Sequence, residues 1–204
     1  MRPRFETSLP CPVWLVFLAV AVCATAAPAE ERTQLMALDA SRSTVEFEVK
    51  LLWLVGVHGR FNSLRGTVAV DRFRNSATVD VRIDTNAVTM RSKSHEDWVK
   101  SEEFFDAQHF PQIEFVSESI PLARLQSGGE IEGTLTLRGI SKPVRFELAT
   151  PECKIGTDEH CPVRAAGSIR RSEFGMNSRR GALSDKVELS FSIETVPLAS
   201  DPNR

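Results

Sequence analysis

The side chains that could do chemistry in this chain are few and scattered. Its histidines are His58, His95, His109 and His160, and none has a second His, Cys or carboxylate at the local spacing a zinc site uses. His95-Glu96-Asp97 puts an imidazole beside two carboxylates, the residue types of general acid–base catalysis. On a short helix, however, consecutive residues point different ways, so the triplet reads as a solvated face. No Gly-x-Ser-x-Gly elbow presents a nucleophilic serine, and no glycine-rich loop leads into a helix to cradle phosphate. These residues predict no enzyme, no metal and no cofactor. The remaining reactive groups are thiols. Cys11 and Cys23 fall in an N-terminal leader, which leaves Cys153 and Cys161 as a pair. An even count in an exported chain predicts a disulfide, the alternative being two free surface thiols. Closing so small a loop contributes at most about 2.6 kcal/mol in the chain-entropy picture.

What must position any site is a set of strands, because apolar and polar residues alternate along much of the chain. Val45, Phe47, Val49 and Leu51 alternate with Glu46, Glu48 and Lys50, and Val79, Val81 and Ile83 with Asp80, Arg82 and Asp84. The same period returns in Ile131 to Leu137, in Val144, Phe146 and Leu148, and in Val187, Leu189, Phe191 and Ile193. Period two gives each strand one apolar and one wet face. About eight such strands, joined by short links, favour antiparallel pairing. One apolar face each suits a closed barrel that hides its edges, with a two-sheet sandwich as the alternative. Two stretches depart from the pattern. The run Leu51 to Val55 is apolar throughout, which predicts burial on both sides or a cavity wall. Residues 87–111 carry a helical insertion, with Ser94 as the predicted cap.

Arg2 and Arg4, the apolar run Val13 to Val22 and the small residues Ala24-Thr25-Ala26 read as a signal peptide over 1–26. An irregular arm (27–37), a barrel domain (38–196) and a C-terminal tail (197–204) follow. Cleavage after Ala26 predicts a periplasmic protein of about 178 residues, enough for one domain with a core and without a stable membrane span. It leaves about 23 basic and 26 acidic groups, a balance that does not favour nucleic acid. Tyrosine is absent, whereas ten Phe and two Trp lie outside the leader, so the interior is built from rings with no hydroxyl to satisfy. Trp98, Phe104, Phe105 and Phe110 crowd the insertion, where they can plug the barrel's open end, line its mouth, or both.

Two segments go further. Gly133-Thr134-Leu135-Thr136-Leu137-Arg138-Gly139-Ile140-Ser141-Lys142-Pro143-Val144-Arg145-Phe146 and Gly167-Ser168-Ile169-Arg170-Arg171-Ser172-Glu173-Phe174-Gly175-Met176 resemble signatures of the YceI-like family, the periplasmic, lipocalin-like polyisoprenoid-binding proteins. The resemblance extends in order to Ser43 to Phe47, Gly59 to Phe61, Ser101 to Asp106 and Phe110-Pro111. It implies an all-β fold, an eight-stranded antiparallel lipocalin-like barrel with one short helical insertion. Its long cavity would take an isoprenoid, quinone-like or other amphiphilic chain. Catalytic residues do not come with it. On this reading Phe47, Phe61, Phe115, Leu135, Phe146, Phe174 and Phe191 line the interior. Trp98, Phe104 and Phe105 line the mouth, and Arg60 or Arg170 meets a headgroup there. The implied partners are the lipid and, as a possible assembly, a second copy in a homodimer. The alternative function is a structural or stress-related periplasmic protein whose barrel is filled by its own side chains and which acts through its surface.

Overall fold

A computed structural model describes residues 33–155 and 160–198. The predicted leader, the first part of the arm and the end of the tail lie outside the described residues. Thirteen strand segments run in the order β1 (Thr33–Leu38), β2 (Thr44–Leu51), β3 (Val55–Phe61), β4 (Leu64–Asp71), β5 (Ser76–Asp84), β6 (Val88–Met90), β7 (Gln112–Ser117), β8 (Ile120–Pro121), β9 (Gly129–Leu137), β10 (Ile140–Leu148), β11 (Val163–Arg170), β12 (Leu183–Ile193) and β13 (Thr195–Pro197). Helix α1 (Lys93–Lys100) lies between β6 and β7, and α2 (Leu122–Ser127) follows β8.

The segments outnumber the expected eight strands because several long strands bend. β1 and β2 face β4 and β3 as one antiparallel pair, kinked at Asp39–Ser43 and at Asn62–Ser63. β12 and β13 are likewise one strand broken at Glu194. β12 pairs with β2, and β13 pairs with β1. From β4 the pairing passes through β5, β7, β9, β10 and β11 to β12, so the sheet returns to its starting strand. Ser43 pins this seam: its hydroxyl donates to the Glu194 carbonyl at 3.2 Å and accepts from the Glu194 N–H at 3.1 Å. The sheet is an antiparallel barrel.

The alternation sorts as expected. In β9, Ile131, Gly133, Leu135 and Leu137 are buried while Glu130 and Thr134 are exposed. Glycine interrupts the apolar row where a ring needs its space. A Cβ at Gly59 would sit 2.2 Å from the Phe47 ring, and one at Gly167 2.5 Å from that of Phe146, each directly across the pair. The glycines let these rings lie along the inner wall.

Five expectations need correction. The arm predicted as irregular becomes β1 from Thr33 onward; Leu35, Met36, Ala37 and Leu38 put apolar groups in both rows, which hides the period. The predicted tail begins inside β13, where Pro197 still faces Met36. The predicted single helical insertion is joined by α2, which opens without a side-chain cap. Helix α1 starts at Lys93 after Ser92, ahead of the predicted cap at Ser94. The run Leu52 to Val55 is exposed, because it forms the tip of the β2–β3 hairpin and does not cross the core.

Cys153 and Cys161 are bonded, with Cα atoms 5.6 Å apart. Reduction, or the double change Cys153→Ser with Cys161→Ser, is expected to lower the thermal midpoint by about 5–10 °C. A scan with and without reductant checks this, and an unmoved midpoint would show that the loop carries no stability.

Candidate functional site

The barrel interior holds two apolar compartments stacked end to end. The upper, of about 130 Å³, lies under α1 and is walled by Phe47, Phe61, Val99, Phe104 and Phe105 among others. The lower, of about 140 Å³, includes Val79, Phe115, Ile131 and Phe146 in its wall. A single water needs only about 10–15 Å³, so neither is a packing defect. Ile83, Leu135 and Phe191 line both and form the constriction between them.

Two ring clusters follow that division. Phe47, Phe61 and Phe105 meet with centroids 5.5–5.9 Å apart in the upper half. In the lower half Phe146 lies 5.5 Å from Phe115 and 4.8 Å from Phe191. Such edge and tilted packings fill space without a polar atom. The lower end is covered by Leu125 of α2 and by Ile155 within the disulfide loop.

The upper end is held by polar ties outside the wall. Trp98 lines the cavity with its ring and donates its Nε1–H to Glu103 at 2.8 Å. The Arg179 guanidinium carbon stands 4.9 Å from that ring, and its Nε lies 3.6 Å from Glu103. This strap joins α1 to the loop before β12. Asp106, in the left-handed region at φ 49°, accepts the N–H groups of His109 and Phe110 and fixes the turn behind Phe104 and Phe105. Its carboxylate also meets His109 Nδ1 at 2.8 Å. That hydrogen bond and the Asp106 charge raise the pKa of exposed His109 above its ordinary value. A raised folded-state pKa gives stability that is complete below about pH 6.5 and lost as pH climbs through the raised value. The thermal midpoint is therefore expected to decline by a small amount above pH 6.5 and to lose that slope in His109→Gln; an unchanged slope would place its cause elsewhere.

Of the residues singled out from sequence, Phe47, Phe61, Trp98, Phe104 and Phe105 line the upper compartment, Phe115 and Phe146 the lower, and Leu135 and Phe191 both. Three lie elsewhere. Arg60 is on the outer face, where it pairs with Glu46 across the β2–β3 ladder. Arg170 is exposed on the outer face of β11. Phe174, 1% exposed, sits in the 3₁₀ turn after β11 and packs as core, lining neither compartment. Neither arginine is among the residues that line the two compartments.

The cation that reaches the cavity is Arg171, which is 2% exposed and lines the upper compartment. Its guanidinium donates to the backbone carbonyls of Ser184 (2.9 Å), Met176 (2.6 Å), Ser178 (2.8 Å) and Leu183 (3.2 Å). Burial lowers its pKa, which nearby Asp185 partly offsets. The sequence carried a signal for it: Ile169 points in and Arg170 out, so the same period turns Arg171 inward.

These features fit an interior that takes apolar chain and offers almost no polar contact. The YceI-like domain matches residues 36–195. A protein YceI of Salmonella arizonae is 32% identical over 162 residues, covering 74% of this chain and 80% of that protein. A UPF0312 protein of Yersinia enterocolitica is 31% identical over 157 residues, with the same coverage. Among solved structures, BcnA of Burkholderia cenocepacia shares the fold with TM-score 0.66 at 23% identity, over 78% of this chain and 99% of that one. A polyisoprenoid binding domain from Saccharophagus degradans follows at TM-score 0.59 and 14% identity, over 80% and 98%. The chain belongs to the YceI-like family.

Proposed function

We propose that the protein is a periplasmic carrier or sequestering protein for an isoprenoid lipid, a quinone-like molecule or another amphiphilic chain held inside the barrel. The observation that carries this reading is the stacked pair of apolar compartments that share Ile83, Leu135 and Phe191 in their walls. A chain that parts these three side chains gains one continuous apolar path. Burying about ten methylenes gives about 8 kcal/mol gross before ordering costs, which suits tight but reversible binding. The likeness to a polyisoprenoid binding domain, which shows the fold, agrees with this choice of ligand class. The lining residues named above would hold the chain, and Arg171 is the one guanidinium on the wall.

Native mass spectrometry after mild isolation tests the proposal. A co-purified lipid, or uptake of added geranylgeraniol at one molecule per barrel, is the expected result. A protein that arrives empty and stays empty would overturn it.

A further inference from the structure

The tip of the β2–β3 hairpin is apolar and uncovered. Leu52, Trp53, Leu54 and Val55 are 57%, 64%, 87% and 59% exposed, a run of neighbours in sequence; Phe73 and Val116 stand singly, and Leu35 shares the β1–β13 edge with the less exposed Val196 and Leu198. Isolated exposed apolar side chains need no explanation, but a contiguous set does. The backbone adds a second observation. Leu52 and Trp53 occupy the left-handed region, with φ of 49° and 59°. A turn that only reversed the chain would place Asn or Gly there at lower cost. Bulky apolar groups are kept at these positions against their backbone preference.

The tip also stands at the cavity mouth. Leu51 and Val57, just inside the hairpin, line the upper compartment. The Leu52 N–H donates to the Ala182 carbonyl at 2.7 Å, tying the tip to the loop that brings Met176 and Leu183 to the same compartment. Two cations flank the tip: Lys50, beside Leu51, whose charge helps to lower the pKa of Glu188, and Arg180, two residues before Ala182, which donates to the Asn177 side-chain carbonyl. Exposed leucines, a tryptophan and adjacent cations are the chemistry of a segment that enters a membrane interface.

We propose that this tip inserts into the surface of an anionic phospholipid bilayer and holds the mouth of the barrel against it, so that a chain passes between bilayer and cavity without crossing water. The cargo part of this rests on the lipid-carrying reading above; the docking part does not. The test compares the full protein with the variant L52S/W53S/L54S in co-sedimentation with vesicles of phosphatidylethanolamine and phosphatidylglycerol. Both are also titrated with geranylgeraniol by native mass spectrometry. The variant is expected to lose about tenfold or more in vesicle partition, while its thermal midpoint and geranylgeraniol uptake stay at the parent's values. Vesicle binding that is absent in the parent, or equal in the two proteins, would overturn the docking surface. So would self-association of the parent that the variant lacks, with neither protein on vesicles, because a second copy would then be what covers the tip. Loss of vesicle binding in the variant, with no geranylgeraniol taken up by either protein, would uphold the docking surface and overturn the cargo reading.

Discussion

Leu135→Trp is expected to deprive the barrel of a long-chain ligand while leaving it folded. Leu135 is 5% exposed and lines both compartments, so an indole there fills the constriction that a chain must pass. Confining the chain to one half removes about four methylenes from burial, about 3 kcal/mol, or about a hundredfold in affinity for geranylgeraniol. The added volume strains a packed wall and costs about 1–3 kcal/mol, a fall of about 3–10 °C in the thermal midpoint. The measurement is a ligand titration beside a melt. A folded Leu135→Trp protein that binds as the parent does would mean that the ligand lies elsewhere or that the barrel is filled by its own side chains. Action through the surface would then be the better account.

The largest loss of stability is expected from Arg171→Met. Four backbone carbonyls, those of Met176, Ser178, Leu183 and Ser184, take their hydrogen bonds from this one guanidinium. Methionine matches much of its length and removes every donor. Hydrogen bonds from a charged group contribute about 1.5–3 kcal/mol each, and the orphaned carbonyls partly rehydrate, so a total of about 4 kcal/mol is expected. Arg171→Lys, with one ammonium in place of a planar fork, should recover less than half of it. Urea unfolding of the three proteins decides the matter. A loss below about 1 kcal/mol in Arg171→Met would show that the loop from Met176 to Leu183 holds its shape without the cation.

The fold was legible because period two survives wherever one face of a strand meets the core and the other meets water. It failed at β1, where Leu35, Met36, Ala37 and Leu38 put apolar groups on both faces and only backbone pairing with β4 and β13 identifies a strand. The aromatic lining was legible for a related reason: a phenylalanine in the inward row has no other place to go. The arginines were read from the wrong side. Arg60 and Arg170 occupy outward positions of their own alternation, while Arg171, one residue on, turns inward as the strand gives way to a 3₁₀ turn. The run Leu51 to Val55 misled because composition measures affinity for the interior, whereas a three-residue hairpin between paired Leu51 and Val55 dictates exposure.

The seam at Glu194 has a consequence for how the chain reaches this structure. It joins Met36 to Pro197 and Val45 to Phe191, pairings that span most of the described chain. Distant pairings must meet their loop-closure entropy before any contact returns it, so folding belongs to the milliseconds-to-seconds class. No N-terminal portion can finish early, since β1 and β2 keep an open edge until the last strand arrives. The barrel thus cannot close for as long as the C-terminal end is withheld, and an unclosed sheet offers less resistance to being threaded through a narrow pore than a finished one does.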